Sequence, residues 1–127
     1  MTDDIRRIEP AARYSRATIF NGIIHFTGIT AANRTANITG QTQQVLAALD
    51  GHLANAGSDK TRLLSVYILL RDVDRDFAAM NKVWDAWVIP GVTPARATWE
   101  AKLAAPAILI ELLATAAVGQ QPEGILT

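Results

Sequence analysis

At 127 residues, half of them hydrophobic, the chain is the size of one ordinary domain, and no apolar run approaches the ~20 residues needed to cross a bilayer. Twelve Lys and Arg balance twelve Asp and Glu with no run that forms a basic stripe, so neither nucleic acid nor a membrane is an expected partner. The absence of cysteine excludes disulfides, iron–sulfur clusters, thiolate zinc sites and a thiol nucleophile.

Met1-Thr-Asp-Asp lacks the basic and apolar regions of a secretory signal, which predicts a soluble cytoplasmic protein. Ile5 to Ile8 is the first strand candidate, and Tyr14 to Thr27 is β-branched and aromatic around Asn21-Gly22, a strong hairpin signal. Ile29 to Thr39 is rich in Thr and Asn and is expected to be loop, with Thr39 or Thr42 capping a helix. In that helix Val45, Leu46, Leu49 and Leu53 make one apolar face, and Gly57 sits where a left-handed cap is wanted. His52 lies near this stripe and His25 is remote from it. Neither has a partner at metal-ligand spacing, so no metal site is expected and His52 is taken as a partly buried or surface histidine.

Leu63 to Leu70, LLSVYILL, predicts a central strand covered on both faces. Asp72 or Asp74 caps a second helix in which Phe77, Met80, Trp84 and Trp87 form the apolar face, stopped by Pro90-Gly91. Ala95 to Leu103 and Ala107 to Val118 are the last two strands. The order βββαβαββ predicts one α+β domain over residues 1–127, an antiparallel or mixed sheet with both helices on one face. So apolar a sheet needs a cover for its second face, and another subunit would supply it.

Along the strand from Ala95, Arg96, Thr98 and Glu100 share one face. Glu111 is the one charged side chain in Ala107 to Leu113. A symmetric hairpin about Leu103-Ala104 would set Arg96 opposite Glu111 on one face, Cβ atoms ~5 Å apart. Two readings stay open at that point. The two form a buried ion pair that fixes strand register, or Arg96 offers its planar fork to a substrate carboxylate while Glu111 orients or deprotonates a water.

PARATWEAKLAAPAILIELLATAAV, Pro94 to Val118, resembles the C-terminal signature of the RidA/YjgF family. FAAMNKVWDAW, Phe77 to Trp87, resembles that family's second helix, closely the version in its YoaB-like branch, and IFNGIIHFTG, Ile19 to Gly28, its early hairpin. The resemblance implies a chorismate-mutase-like fold and a homotrimer with a central barrel and sites between subunits. It implies hydrolysis of 2-imino or enamine acids, such as 2-aminoacrylate or 2-iminopropionate, to 2-oxo acids and ammonia, with no cofactor. It places the carboxylate-binding arginine on Arg96 and the water-positioning glutamate on Glu111, and assigns pocket positions to Tyr14, Thr27, Gly28, Asn81 and Thr98. Ala97 and Thr98 depart from the family's Arg-Ser-Cys, Ile29 from a common glutamine, and His25 from an apolar residue, which leaves substrate choice open. A trimer that binds small carboxylates without turnover, or acts as a chaperone, is the alternative, with endoribonuclease third.

Overall fold

The computed structural model describes residues 4–119, in which seven strands and two helices share one core. The strands are β1 (Arg6–Pro10), β2 (Ser15–Phe20), β3 (Ile23–Phe26), β4 (Ile29–Thr30), β5 (Leu63–Leu70), β6 (Ala95–Glu100) and β7 (Ile110–Ala117), and the helices are α1 (Ile38–Asn55) and α2 (Val73–Trp87). The sheet runs β1-β2-β3-β7-β5-β6, with β4 added beside β7. Only β5 and β6 are parallel, joined by the α2 crossover, so the sheet is mixed as expected.

Register gives the sheet two distinct faces. On one, Ala17 and Ile19 of β2, Ile24 and Phe26 of β3, Val66, Ile68 and Leu70 of β5, and Ile110, Leu112, Ala114 and Ala116 of β7 align and are buried. Both helices pack there: Val45, Leu46, Leu49 and Leu53 of α1 are buried with Met80 and Trp84 of α2. The opposite face carries Leu64, Tyr67 and Trp99, each more than two-fifths exposed, with half-buried Leu69 and Leu113. Strand β5 is central but is covered on one face only among the described residues, where the sequence pattern predicted cover on both.

Local signals set most boundaries. Asn21 and Gly22 take φ 53° and 79° and close the β2–β3 hairpin. Helix α1 ends in a Schellman motif, Ser58 N–H bonding Leu53 O at 2.8 Å and Gly57 N–H bonding Ala54 O at 3.1 Å, with Gly57 at φ 78°. Asp72 caps α2 by accepting from Arg75 N–H at 3.0 Å. The α1 cap is Asn37, not Thr39 or Thr42: its extended backbone lets Oδ1 accept from Gly40 N–H at 3.0 Å, while the Thr42 hydroxyl is buried and bonds back to Ile38 O. Phe77 leaves the apolar face of α2, 41% exposed. Asp76, one turn before Met80, is buried in that phase instead and holds Arg75 through two 2.9 Å bonds.

Two expectations fail for one reason. Ile29–Thr30 is strand rather than loop, because it finds open backbone beside Leu112 and Glu111. The last two strands do not form a hairpin: β6 and β7 lie on opposite sides of β5. The segment between them turns at Ala105–Ile108 around Pro106, Ile108 N–H bonding Ala105 O at 3.0 Å, and crosses the end of β5, Ala101 N–H bonding Leu70 O at 2.9 Å and Arg71 N–H bonding Leu109 O at 3.0 Å. Backbone pairing with β5 on either side satisfies more groups than a direct β6–β7 turn would.

Candidate active site

Arg96 and Glu111 are not opposite one another. Arg96 pairs with Val66, whose side chain faces the helices, and Glu111 pairs with Leu69 on the open face. Two strand spacings and three residues of offset separate their Cα atoms by roughly 14 Å, with side chains on opposite faces of the sheet. The ion-pair reading is therefore overturned, as is the ~5 Å Cβ approach. Among the described residues neither side chain takes part in a salt bridge.

Arg96 belongs to a cluster built by β6 and α2. Its Nη1 donates to Asn81 Oδ1 at 2.7 Å, and the guanidinium lies 5.3 Å from the centre of the Trp84 ring. Burial lowers the Arg96 pKa below the ordinary guanidinium value, and Asp85 acts in the opposite direction; the group remains a cation. Its remaining N–H groups form the planar donor array that suits a carboxylate. Thr98, one rung further along the same face of β6, has a buried Oγ1 with no hydrogen-bond partner among the described residues. Leaving such a group unmet costs ~1–3 kcal/mol.

Glu111 belongs to a second cluster built by β7, β4 and the residues before β4. It stands beside Thr30 in register, and its carboxylate closes over Gly28, so that an added Cβ there would stand 3.2 Å from the carboxyl carbon. Glycine at position 28 is thus a matter of close approach. Thr27 is half-buried, its N–H bonded to Arg16 O at 2.9 Å, and Tyr14, just before β2, exposes 56% of its surface. The chain accordingly sorts the predicted residues into two groups: Arg96, Asn81 and Thr98 on the helix side of β6, and Gly28 and Glu111 on the open side with Thr27 adjoining. A single chain does not bring the groups together.

The histidines fall elsewhere. His25 shares the open face with Glu111 but pairs with Thr115, ~13 Å along β7 from Glu111, and lines a separate concavity of about 190 Å³ with Ser65 and Tyr67. His52 is partly buried; burial lowers its pKa first and the Arg16 charge second, against a raising effect of Glu9. Among the described residues no cluster of three or more His, Asp or Glu is placed to hold a metal ion, and no helix is long and apolar enough to cross a membrane.

A family model described as Endoribonuclease L-PSP matches residues 4–118. The chain belongs to this YjgF/RidA family. Among YjgF/RidA relatives, the RutC family protein YoaB of Escherichia coli is 42% identical over 114 residues, covering 90% of this chain and 98% of that one. A RutC family protein of Haemophilus ducreyi is 39% identical over 117 residues, covering 92% and 99%. The crystal structure of a YjgF family member from Neisseria meningitidis superposes with a TM-score of 0.89 at 45% identity, covering 93% of this chain and 98% of that one. The α+β fold with two helices on a mixed sheet is thus the YjgF fold. Buried Gln41 and half-buried Arg71 of this YjgF/RidA chain escaped the sequence reading although both hold the segment leading to Glu111; Gln41 shares the i, i+4, i+8 phase of Val45 and Leu49, the one signal that could have marked it.

Proposed function

We propose that the chain is a metal-free hydrolase of 2-imino or enamine acids that works as a homotrimer in the cytoplasm, each site joining the Arg96 group of one protomer to the Glu111 group of the next. The observation that carries this reading is the separation of an open guanidinium and an open carboxylate onto opposite faces of one sheet. A second copy covering the apolar face of Leu64, Tyr67 and Trp99 would bring another protomer's donors toward Glu111. The stoichiometry of three comes from the family resemblance.

In the proposed reaction Arg96 holds the substrate carboxylate and Asn81 fixes the guanidinium plane. The protonated imine carbon is electrophilic. A water adds to it while Glu111 takes one water proton, leaving a neutral carbinolamine. Glu111 then returns that proton to nitrogen, the hydroxyl oxygen lone pair forms the carbonyl, the C–N bond breaks, and ammonia carries off the hydroxyl proton as ammonium. Substrate and water become a 2-oxo acid and ammonium, with no redox change. Tyr14, Thr27, Gly28 and Thr98 line the pocket in this reading.

The test generates 2-iminopropionate or 2-aminoacrylate in situ and follows 2-oxo acid release with and without the protein. Glu111→Gln keeps the shape and removes the base, so turnover is expected to fall ~100-fold or more with assembly intact. No acceleration by the parent protein across short and aromatic imines would leave a trimer that binds small carboxylates without turnover. RNA cleavage instead would favour the endoribonuclease reading that the family description names, which the balanced charge of this chain does not support.

A further inference from the structure

Gln41 has no solvent exposure, yet it lies in the first turns of α1 among apolar neighbours and its amide is the most connected side chain near the Glu111 group. Nε2 donates to Ala107 O at 2.9 Å and Ala36 O at 3.1 Å, with Arg34 O more distant at 3.4 Å. Oε1 accepts from Leu109 N–H at 3.0 Å. Carbonyls around one end and an N–H at the other fix which way the amide points. These contacts reach two separate stretches of chain. Ala107 and Leu109 lead directly into β7, where Glu111 is the second residue; Arg34 and Ala36 follow β4, whose Thr30 is the register partner of Glu111.

From the other side Arg71 holds the same segment, its Nε bonding Ile108 O at 2.9 Å and its Nη2 bonding Leu103 O at 3.0 Å and also Ala105 O. Arg71 touches only the β7 side. Gln41 alone of the two ties both walls of the Glu111 group to one another, across sequence separations of 66 and 68 residues on one side and 5 to 7 on the other.

We infer that Gln41 is a positioning residue for Glu111: its amide sets the spacing between the start of β7 and the chain after β4, and thereby the placement of the Glu111 carboxylate over Gly28. The inference rests on the proposed role of Glu111. None of the four Gln41 bonds reaches Arg96, Asn81 or Thr98, and Arg96 lies on the opposite face of the sheet from Glu111. Loss of the clamp therefore acts on the chemical step and spares carboxylate binding.

The substitution that isolates this is Gln41→Met, which keeps the length and apolar volume and removes all four bonds. The control is Thr42→Val, an adjacent buried position whose hydroxyl bonds only Ile38 O within α1. Both are measured as the full assembled protein, well below their melting temperatures. For Gln41→Met, kcat for 2-iminopropionate is expected to fall ~10-fold or more with KM within ~3-fold of the parent, while Thr42→Val keeps both constants, whatever each loses in melting temperature. A parent-like kcat in Gln41→Met with a lowered melting temperature would show that Gln41 is merely structural and overturn the inference. A second readout needs no turnover: with 13C-labelled glutamate side chains, the Glu111 carboxyl resonance, assigned by its loss in Glu111→Gln, should change its chemical shift in Gln41→Met and stay in place in Thr42→Val. An unmoved resonance overturns the inference even if the parent hydrolyses imines. A moved resonance in a parent without turnover upholds the clamp and refutes the hydrolase reading alone.

Discussion

The Glu111 carboxylate occupies the space that a methyl group on Gly28 would need, and Leu113 Cδ2, 3.5 Å from the same point, closes the other side. Gly28 has no positive φ that would forbid a side chain, so the constraint is the carboxylate itself. Gly28→Ala is expected to leave the fold and assembly intact, because the end of a glutamate side chain can swing aside, and to lower kcat for imine hydrolysis by ~10- to 100-fold through displacement of that carboxylate. Parent-like kcat in this variant, measured beside its circular dichroism and mass in solution, would show that the carboxylate position over Gly28 is irrelevant to the chemistry.

Assembly is tested on the open face. Tyr67 and Trp99 pack there with ring centroids 5.8 Å apart and planes tilted by 50°, both more than two-fifths exposed in the single chain. A carboxylate introduced by Trp99→Asp would be buried without a partner when copies meet, at a cost of several kcal/mol per site. The parent is expected to have the mass of three chains in light scattering at micromolar concentration. Trp99→Asp should dissociate to monomers that keep their helical circular dichroism, since the helix-side core is untouched, and should lose imine hydrolysis with dissociation. A monomeric parent would remove the intersubunit site, and an intact trimer in the variant would place the interface elsewhere.

The pattern of what was legible follows from the range of each interaction. The Asn21-Gly22 hairpin, the Gly57 cap and the Asp72 cap are decided within a few residues, and each stands where the local chemistry indicates. The Asn37 cap was missed because the hydroxyls of Thr39 and Thr42 can accept a first-turn N–H as the Asn37 amide oxygen does, and only the helix start, fixed by burial of Gln41, Val45 and Leu49, discriminates among them. The β6–β7 relationship is long-range: pairing of both strands with β5 decides it, and no residue between Ala101 and Leu109 encodes that choice. Glu111 was legible as a lone charge in an apolar strand, and Arg96 as a strand arginine sharing a face with Thr98 and Glu100. Their separation onto two faces was not, because one β5 partner faces the helices and the other faces away, a consequence of sheet order rather than of spacing within either strand.

The Arg96 role is separable from support of the fold by changing substrate and side chain together. With Nη1 committed to Asn81 at 2.7 Å and the guanidinium plane beside Trp84, the remaining donors are held in one orientation, which a lysine ammonium does not reproduce. Hydrogen bonds to charged groups contribute ~1.5–3 kcal/mol, so Arg96→Lys should lower kcat/KM for a 2-imino acid by roughly ten- to a hundredfold. Arg96→Ala should lose more, and Asn81→Ala, which frees the guanidinium to swing, should lose less than either. An imine without the carboxylate should be a poor substrate of the parent and nearly indifferent to all three substitutions, because the group Arg96 holds is missing. Equal losses on carboxylated and uncarboxylated imines would mean that Arg96 supports α2 packing through Asn81 and Trp84, and the anchor role would pass to another cation.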